Sequence, residues 1–190
     1  HLLAHKAKHV TGLDYDASAI AYCKTNYLAS NIEFTHADAS SLPPTNMFDI
    51  VISFQVIEHI ADIDNFMIQV KKRVKPGGII LITTPNSRVG TTDISENPFH
   101  VNEMSYAEFY AFIGKHFHKF NIYGIGFASK NRLREFLLMS PFYNLGKLLK
   151  RESTIKKFAT QVTSMTEFAV IENNVHEEAI DLFAVCTNER

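Results

Sequence analysis

Cysteine is scarce in this chain. Cys23 and Cys186 are the only two, far apart and without metal-ligand spacing. That excludes a disulfide framework and fits two reduced thiols in a cytoplasmic protein. Long apolar runs are lacking too. None approaches the ~20 residues of a membrane span, and no signal peptide is evident. Neither sign of charge is in excess, with 19 Lys+Arg against 20 Asp+Glu and a net charge of −1. No basic field exists to draw in nucleic acid. Internal repeats and low-complexity tracts are absent as well. The chain opens on His1 rather than Met, and its true beginning is expected upstream.

What is present is an ordinary globular composition, 46% hydrophobic and 21% charged over 190 residues, enough for a real core. The stretch from Phe48 to Asn86 organises it. Ile50–Phe54 and Ile79–Thr83 read as short strands buried on both faces, the pattern of a parallel sheet. Between them Ile63, Phe66, Met67, Val70 and Val74 recur at helical spacing and form one apolar face. Asp62 and Asp64 suit that helix's N-terminus; Lys71, Lys72 and Arg73 suit its C-terminus. Pro76-Gly77-Gly78 is expected to stop it. Strand, helix, parallel strand is a right-handed crossover unit, and in such sheets ligands bind beyond the carboxyl ends of the strands. Those ends are Gln55-Val56-Ile57-Glu58-His59 and Thr84-Pro85-Asn86.

Upstream, His1 to Lys8 reads as the tail of a helix, and His9 to Asp14 as a strand ending in an acid. Asp16 is placed to cap a helix whose Ile20, Cys23, Tyr27 and Leu28 share a face. Ile32 to Asp38 is a second strand ending in an acid, and Leu42 to Asn46 is loop. Downstream, Ser87 to Asn102 is loop-rich. Ser105-Tyr106-Ala107-Glu108 is a capping box opening a helix with Phe109, Phe112, Ile113 and Phe117 inward. Phe120–Phe127 and Ala179–Cys186 read as the last strands. Residues 129–175 differ: Arg132–Met139, Tyr143–Arg151 and Thr154–Val162 are helical, with strand chemistry returning only at Phe168–Ile171. The expected organisation is a doubly wound α/β core over 1–128 and 176–190, with 129–175 as a helical insertion on the acceptor side.

Two acids at strand ends carry the first chemistry. A carboxylate such as Asp14 offers two oxygens to the two ribose hydroxyls of a nucleotide; the plainer role is a loop or capping acid. Tyr15 either lies on an adenine face or is a half-buried loop tyrosine. Asp38 can accept from an adenine amino group while the Ala39 amide donates to a ring nitrogen; otherwise it is a turn aspartate.

Val10 to Asp14, Asp38-Ala39 before Leu42-Pro43, Phe48 to Val51, Val56-Ile57-Glu58-His59-Ile60 and Arg73-Val74-Lys75-Pro76-Gly77-Gly78 fall in one order and spacing. That ensemble resembles class I S-adenosylmethionine-dependent methyltransferases over Val10 to about Phe120 and the last strand. The resemblance implies a Rossmann-like sheet, mostly parallel, whose last two strands form an antiparallel hairpin. It implies S-adenosylmethionine as cofactor, with Asp14 on the ribose, Asp38 and Ala39 on the adenine, and the Phe54–Gln55 backbone near the methionine. The family's first strand and glycine-rich loop, which should precede residue 1, are missing. We expect an N-terminally cut version of a longer enzyme, with poor cofactor binding, or none, by the chain as given.

Glu58, His59 and His100 form the second constellation. They serve as general base and acceptor-side residues, or as three ligands of a divalent metal; otherwise His59 caps the next helix and His100 is a plain loop histidine. Small-RNA 2′-O-methyltransferases of the family hold a metal with Glu-x-x-Glu-His and a later histidine, but here Gln55 stands in place of the first glutamate. The Val-x-Glu-His segment resembles ubiquinone-pathway O-methyltransferases. The Asn97 to Glu103 segment resembles methyltransferases of bacterial polysaccharide and lipid-linked sugar pathways. Methyl transfer to an oxygen of a small-molecule, sugar or lipid-linked acceptor is the expected reaction, with His59 and His100 as proton acceptors. The rivals are a degenerate cofactor-binding or scaffold domain and a nicotinamide dehydrogenase. The Lys and Arg residues between Lys130 and Lys157 either meet an anionic carrier or form a solvated face.

Overall fold

Val10–Asp14 (β1) and Ile32–His36 (β2) pair in parallel, Val10 opposite Ile32 and Asp14 opposite His36. They belong to a computed structural model that describes residues 1–39, 47–87, 99–127 and 168–189. Gly12 is the residue that lets β1 accept Phe34 of β2, because a Cβ there would meet the Phe34 ring at 2.8 Å. Asp16 caps the intervening helix, α1 (Ala17–Asn26), its carboxylate accepting from the Ser18 amide. The shared face expected on α1 is reduced to Ile20, the one buried residue. Tyr27 leaves the helix and Leu28 lies beyond it, both exposed. The first residues form a short 3₁₀ turn, Leu2–His5, instead of the tail of an α-helix.

Two units divide the chain: 1–49 with 62–75, and 50–61 with 76–190. The first holds β1, α1, β2 and helix α2 (Ile63–Arg73). Asp62 caps α2 by accepting from the Asn65 amide at 3.0 Å, so His59 is not its cap. Phe66, Met67, Val70 and the following Val74 are buried, as the spacing predicts. Lys75 and Asp49 form an exposed ion pair at 2.8 Å, which holds the Asp49 carboxyl below its ordinary value.

Five strands make the second unit's sheet, in the order β3-β4-β7-β5-β6. They are Phe48–Phe54, Val74–Pro85, Asp181–Thr187, Phe120–Phe127 and Phe168–Ile171. β7 runs antiparallel to both β4 and β5, and β6 adds antiparallel outside β5. This is the α/β architecture with an antiparallel C-terminal end that the sequence implies. One boundary differs. Pro76-Gly77-Gly78 does not stop α2; Val74 already turns extended, and those residues lie within β4. Gly77 takes φ +75, open to glycine without strain. Its amide donates to Asn188 O at 2.7 Å, while Asn188 N donates to Gly78 O at 2.9 Å.

Alternation along β4 and β7 sorts the two faces. Ile80 and Ile82 on β4, with Leu182, Ala184 and Cys186 on β7, are fully buried on one face. Helix α3 (Tyr106–His116) packs on β5 and β7 beside α4 (Val175–Glu178). The capping box opens α3: Ser105 N and Oγ both donate to Glu108 Oε2, at 2.8 and 2.6 Å. Phe109, Ile113 and Phe117 are buried and Phe112 is half-buried. Residues 40–46, 88–98 and 128–167 lie outside the described residues, and with them the Leu42–Asn46 loop and the three helices expected between Arg132 and Val162. Residues 168–171 of the expected insertion form the edge strand β6. Among the described residues no helix is long and apolar enough to cross a membrane.

Candidate functional site

In the first unit the two acids stand at one end of a parallel pair. Asp14 closes β1, and Asp38 lies two residues past the end of β2, which stops at His36 instead of running to Asp38. Asp14 is exposed. One carboxylate oxygen accepts from the Asp16 amide at 2.9 Å, and the other has no partner among the described residues. His36 donates from Nε2 to Tyr15 O at 2.8 Å, and Ala37 N donates to Asp14 O at 3.0 Å. These bonds tie the two strand ends together and leave the Tyr15 ring 81% exposed. Ala39 is half-buried. The second Asp14 oxygen can therefore accept from a ligand's hydroxyl.

In the second unit β3 ends on Phe54, and Gln55 adopts φ 54, a left-handed conformation rare for a residue with a Cβ. Thr83 of β4 holds it there: Gln55 N donates to Thr83 O and Oγ1, both at 3.2 Å, and Gln55 Nε2 donates to Thr83 Oγ1 at 3.3 Å. Such strain is of the order of 1–3 kcal/mol and persists only where the surroundings enforce it. A 3₁₀ turn, Ile57–His59, follows. It buries Glu58 to 1% exposure, with Thr84 Oγ1 donating to Glu58 Oε2 at 3.4 Å.

The segment carrying His100 is bolted to that turn. Val101 N and Asn102 N both donate to Glu58 O, at 2.8 and 3.1 Å, and Asn102 Nδ2 donates to Ile60 O. Glu58, His59 and His100 therefore come together, with possible ligand atoms within 4.8 Å of one another. The two imidazoles meet edge to face, centroids 4.8 Å apart. His59 Nδ1 lies 2.9 Å from Phe99 O. A carbonyl can only accept, so Nδ1 carries the proton and Nε2 of the neutral ring holds the lone pair. His100 Nδ1 lies 2.8 Å from Glu103 Oε1, which fixes its tautomer in the same way. Two bases are thus oriented by acceptors behind them, the arrangement that readies an imidazole to take a proton or to bind a metal.

Sequence reasoning missed Thr83 and Asp181, and placed Thr84 and Glu103 near the site without giving either a role. Glu103 had a signal, its three-residue spacing from His100. Asp181 begins β7 opposite Pro85 of β4, and Gln55 donates its side-chain hydrogen bond to it. Burial, then the charge of Glu58, push the Asp181 carboxyl above its ordinary value, and the Gln55 bond opposes them.

A family model described as a methyltransferase domain matches residues 1–82. That stretch is a little under half of the chain, and over it the sequence is similar to methyltransferase domains. A protein of Mycolicibacterium smegmatis named as a probable S-adenosylmethionine-dependent methyltransferase is 36% identical over 110 residues, 56% of this chain and 42% of that protein. A ubiquinone biosynthesis O-methyltransferase of Rhizobium leguminosarum is 34% identical over 87 residues, 44% of this chain and 34% of that protein. The chain thus spans less than half the length of these curated relatives. Among solved structures, an S-adenosylmethionine-dependent methyltransferase of Thermotoga maritima, a possible histamine N-methyltransferase, superposes with TM-score 0.64. It does so over 98% of this chain and 75% of that one at 13% identity. A protein of Bacillus subtilis gives 0.58 over 99% and 86% at 14% identity. These likenesses establish the Rossmann-like methyltransferase fold.

Proposed function

We propose that the protein is an S-adenosylmethionine-dependent methyltransferase acting on a hydroxyl of a small-molecule, sugar or lipid-linked acceptor. One observation carries the reading: the family match over residues 1–82 contains Asp14, Asp38 and the Glu58-His59 pair in a single stretch. Asp14 takes the ribose hydroxyls, Asp38 and Ala39 the adenine edge, Tyr15 the adenine face, and the Phe54–Gln55 backbone the methionine portion. The relatives named as O-methyltransferases support the oxygen acceptor.

S-adenosylmethionine, when bound, supplies a methyl group already activated as a sulfonium. The protein's task is then alignment and proton removal. Alignment of bound reactants is worth about 7–11 kcal/mol; a positioned base adds roughly 10²–10⁴-fold, about 3–5 kcal/mol. Alignment dominates, and the base decides which nucleophile reacts. With cofactor and acceptor bound, Nε2 of His59 or His100 would be the atom that takes the acceptor hydroxyl's proton. Phe99 O and Glu103 hold the opposite nitrogens and steady the imidazolium that forms.

Calorimetry with S-adenosylhomocysteine and with NAD tests the reading. Binding of the first, weakened in Asp14→Asn, is expected. Binding of NAD alone would assign a dehydrogenase, and cofactor binding without methyl transfer to any acceptor would assign a scaffold. The same Glu58, His59 and His100 set offers one carboxylate and two Nε2 atoms to a divalent cation, which would acidify the acceptor hydroxyl. Loss of activity in excess chelator would favour that second reading, and full activity would end it.

A further inference from the structure

Three aromatic rings and one carboxylate share a face of the five-stranded sheet. Phe54 and Phe183 meet edge to face with centroids 6.1 Å apart. Tyr123 stands directly across from Phe183 in the β5–β7 ladder, its ring 6.2 Å away. Asp181 precedes Phe183 by two residues, so the pleat places it on the same face. It lies between Pro85 of β4 and Ile125 of β5. Phe54 is half exposed, and Phe183, Tyr123 and Asp181 are intermediate in burial.

Asp181 has the Gln55 amide as its hydrogen-bond partner and no cation among the described residues. Burying a carboxylate without a counter-ion is unfavourable. Ring faces beside a carboxylate complement one chemical group above others, an ammonium, whose three donors suit the carboxylate and whose charge suits the rings.

We propose that Asp181, with Phe54, Phe183 and Tyr123, forms a subsite for a protonated amine carried by the methyl acceptor. The proposal rests on the methyltransferase reading and narrows it to acceptors bearing a basic nitrogen. A site built for such a group discriminates strongly, because an acceptor lacking it leaves the carboxylate unpaired.

Tyramine and 4-ethylphenol differ only in the ammonium group. Each is titrated calorimetrically into the protein, with and without S-adenosylhomocysteine. The wild-type protein should prefer tyramine by about tenfold or more. Asp181→Asn should abolish that preference, and Asp181→Glu should restore part of it. Equal binding of the two probes, binding of neither, or a preference that survives Asp181→Asn would overturn the proposal. S-adenosylhomocysteine bound with no ammonium preference defeats the amine subsite alone. An Asp181-dependent preference in a protein that never binds S-adenosylhomocysteine supports the subsite and defeats the methyltransferase reading.

Discussion

Replacing Asp181 with asparagine should make the protein more stable at neutral pH. Asparagine keeps the shape of the side chain, and its carbonyl oxygen still accepts from the Gln55 amide, but it carries no charge. In the folded protein burial and Glu58 raise the Asp181 carboxyl above its unfolded value of 3.8. The folded state therefore binds this proton more tightly than the unfolded chain does. Between the unfolded and folded values the native protein holds more protons, so stability falls as pH rises through that window. Above it the deficit is constant; below 3.8 it vanishes. Because Asp181 keeps some contact with solvent, screening reduces the expected gain to about 1 kcal/mol or less. Urea unfolding followed by circular dichroism near pH 7 should show a higher midpoint at unchanged m for Asp181→Asn, and no difference near pH 3. A variant no more stable near pH 7, or one whose advantage persists in acid, refutes the reasoning. In a Glu58→Gln background the gain should shrink, since one of the two causes is gone.

Four further outcomes are expected. His100→Ala should lower turnover by about 10²–10⁴-fold in a radiolabelled methyl-transfer assay while S-adenosylhomocysteine affinity holds; equal loss of both would make His100 structural. Asp14→Asn should weaken S-adenosylhomocysteine binding about tenfold by calorimetry with the melting temperature unchanged; a lowered melting temperature would mark Asp14 as a turn residue only. Ser105→Ala removes the acceptor for the Glu108 amide and should lower unfolding free energy by about 1 kcal/mol, read by urea denaturation. Phe109→Ala, emptying a fully buried site, should cost about 3–5 kcal/mol in the same assay.

Local chemistry was legible wherever it depended on neighbours in the chain. The α2 face, the Asp16 cap and the Ser105–Glu108 box each follow from side chains three or four residues apart. Boundaries set by distant partners were not. Gly77 and Gly78 lie within β4, bonded to Asn188 far away in sequence, where the local pattern predicts a helix stop. Tyr27 and Leu28 continue the α1 pattern on paper, yet the helix ends at Asn26 and they reach no core. The meeting of His59 with His100 was suggested by residue type and by the family resemblance; what enforces it is backbone, the Val101 and Asn102 amides on the Glu58 carbonyl. Asp181 was invisible as a site residue because its environment is made by β3 and β4, more than ninety residues upstream.

The carboxyl end of β4 explains why these polar groups form two sets. Successive side chains point to opposite faces. Thr83 faces Gln55, and through it Asp181 and the aromatic rings; Thr84 faces Glu58, and through it the turn that carries His59 and anchors His100. A one-residue slip of β4 against β7 would exchange these faces. It would carry Thr83 away from Gln55 and remove the bonds that hold its left-handed backbone. Register is pinned against that slip by the apolar alternation, since Ile80 and Ile82 must stay on the face that buries Leu182, Ala184 and Cys186. The core packing of this sheet therefore fixes which hydroxyl meets which carboxylate. A change that shifts the register, such as a residue inserted before Ile80, should disable the amine preference and the histidine-dependent turnover together, whereas Asp181→Asn leaves the Glu58 turn and its bonds to the His100 segment in place.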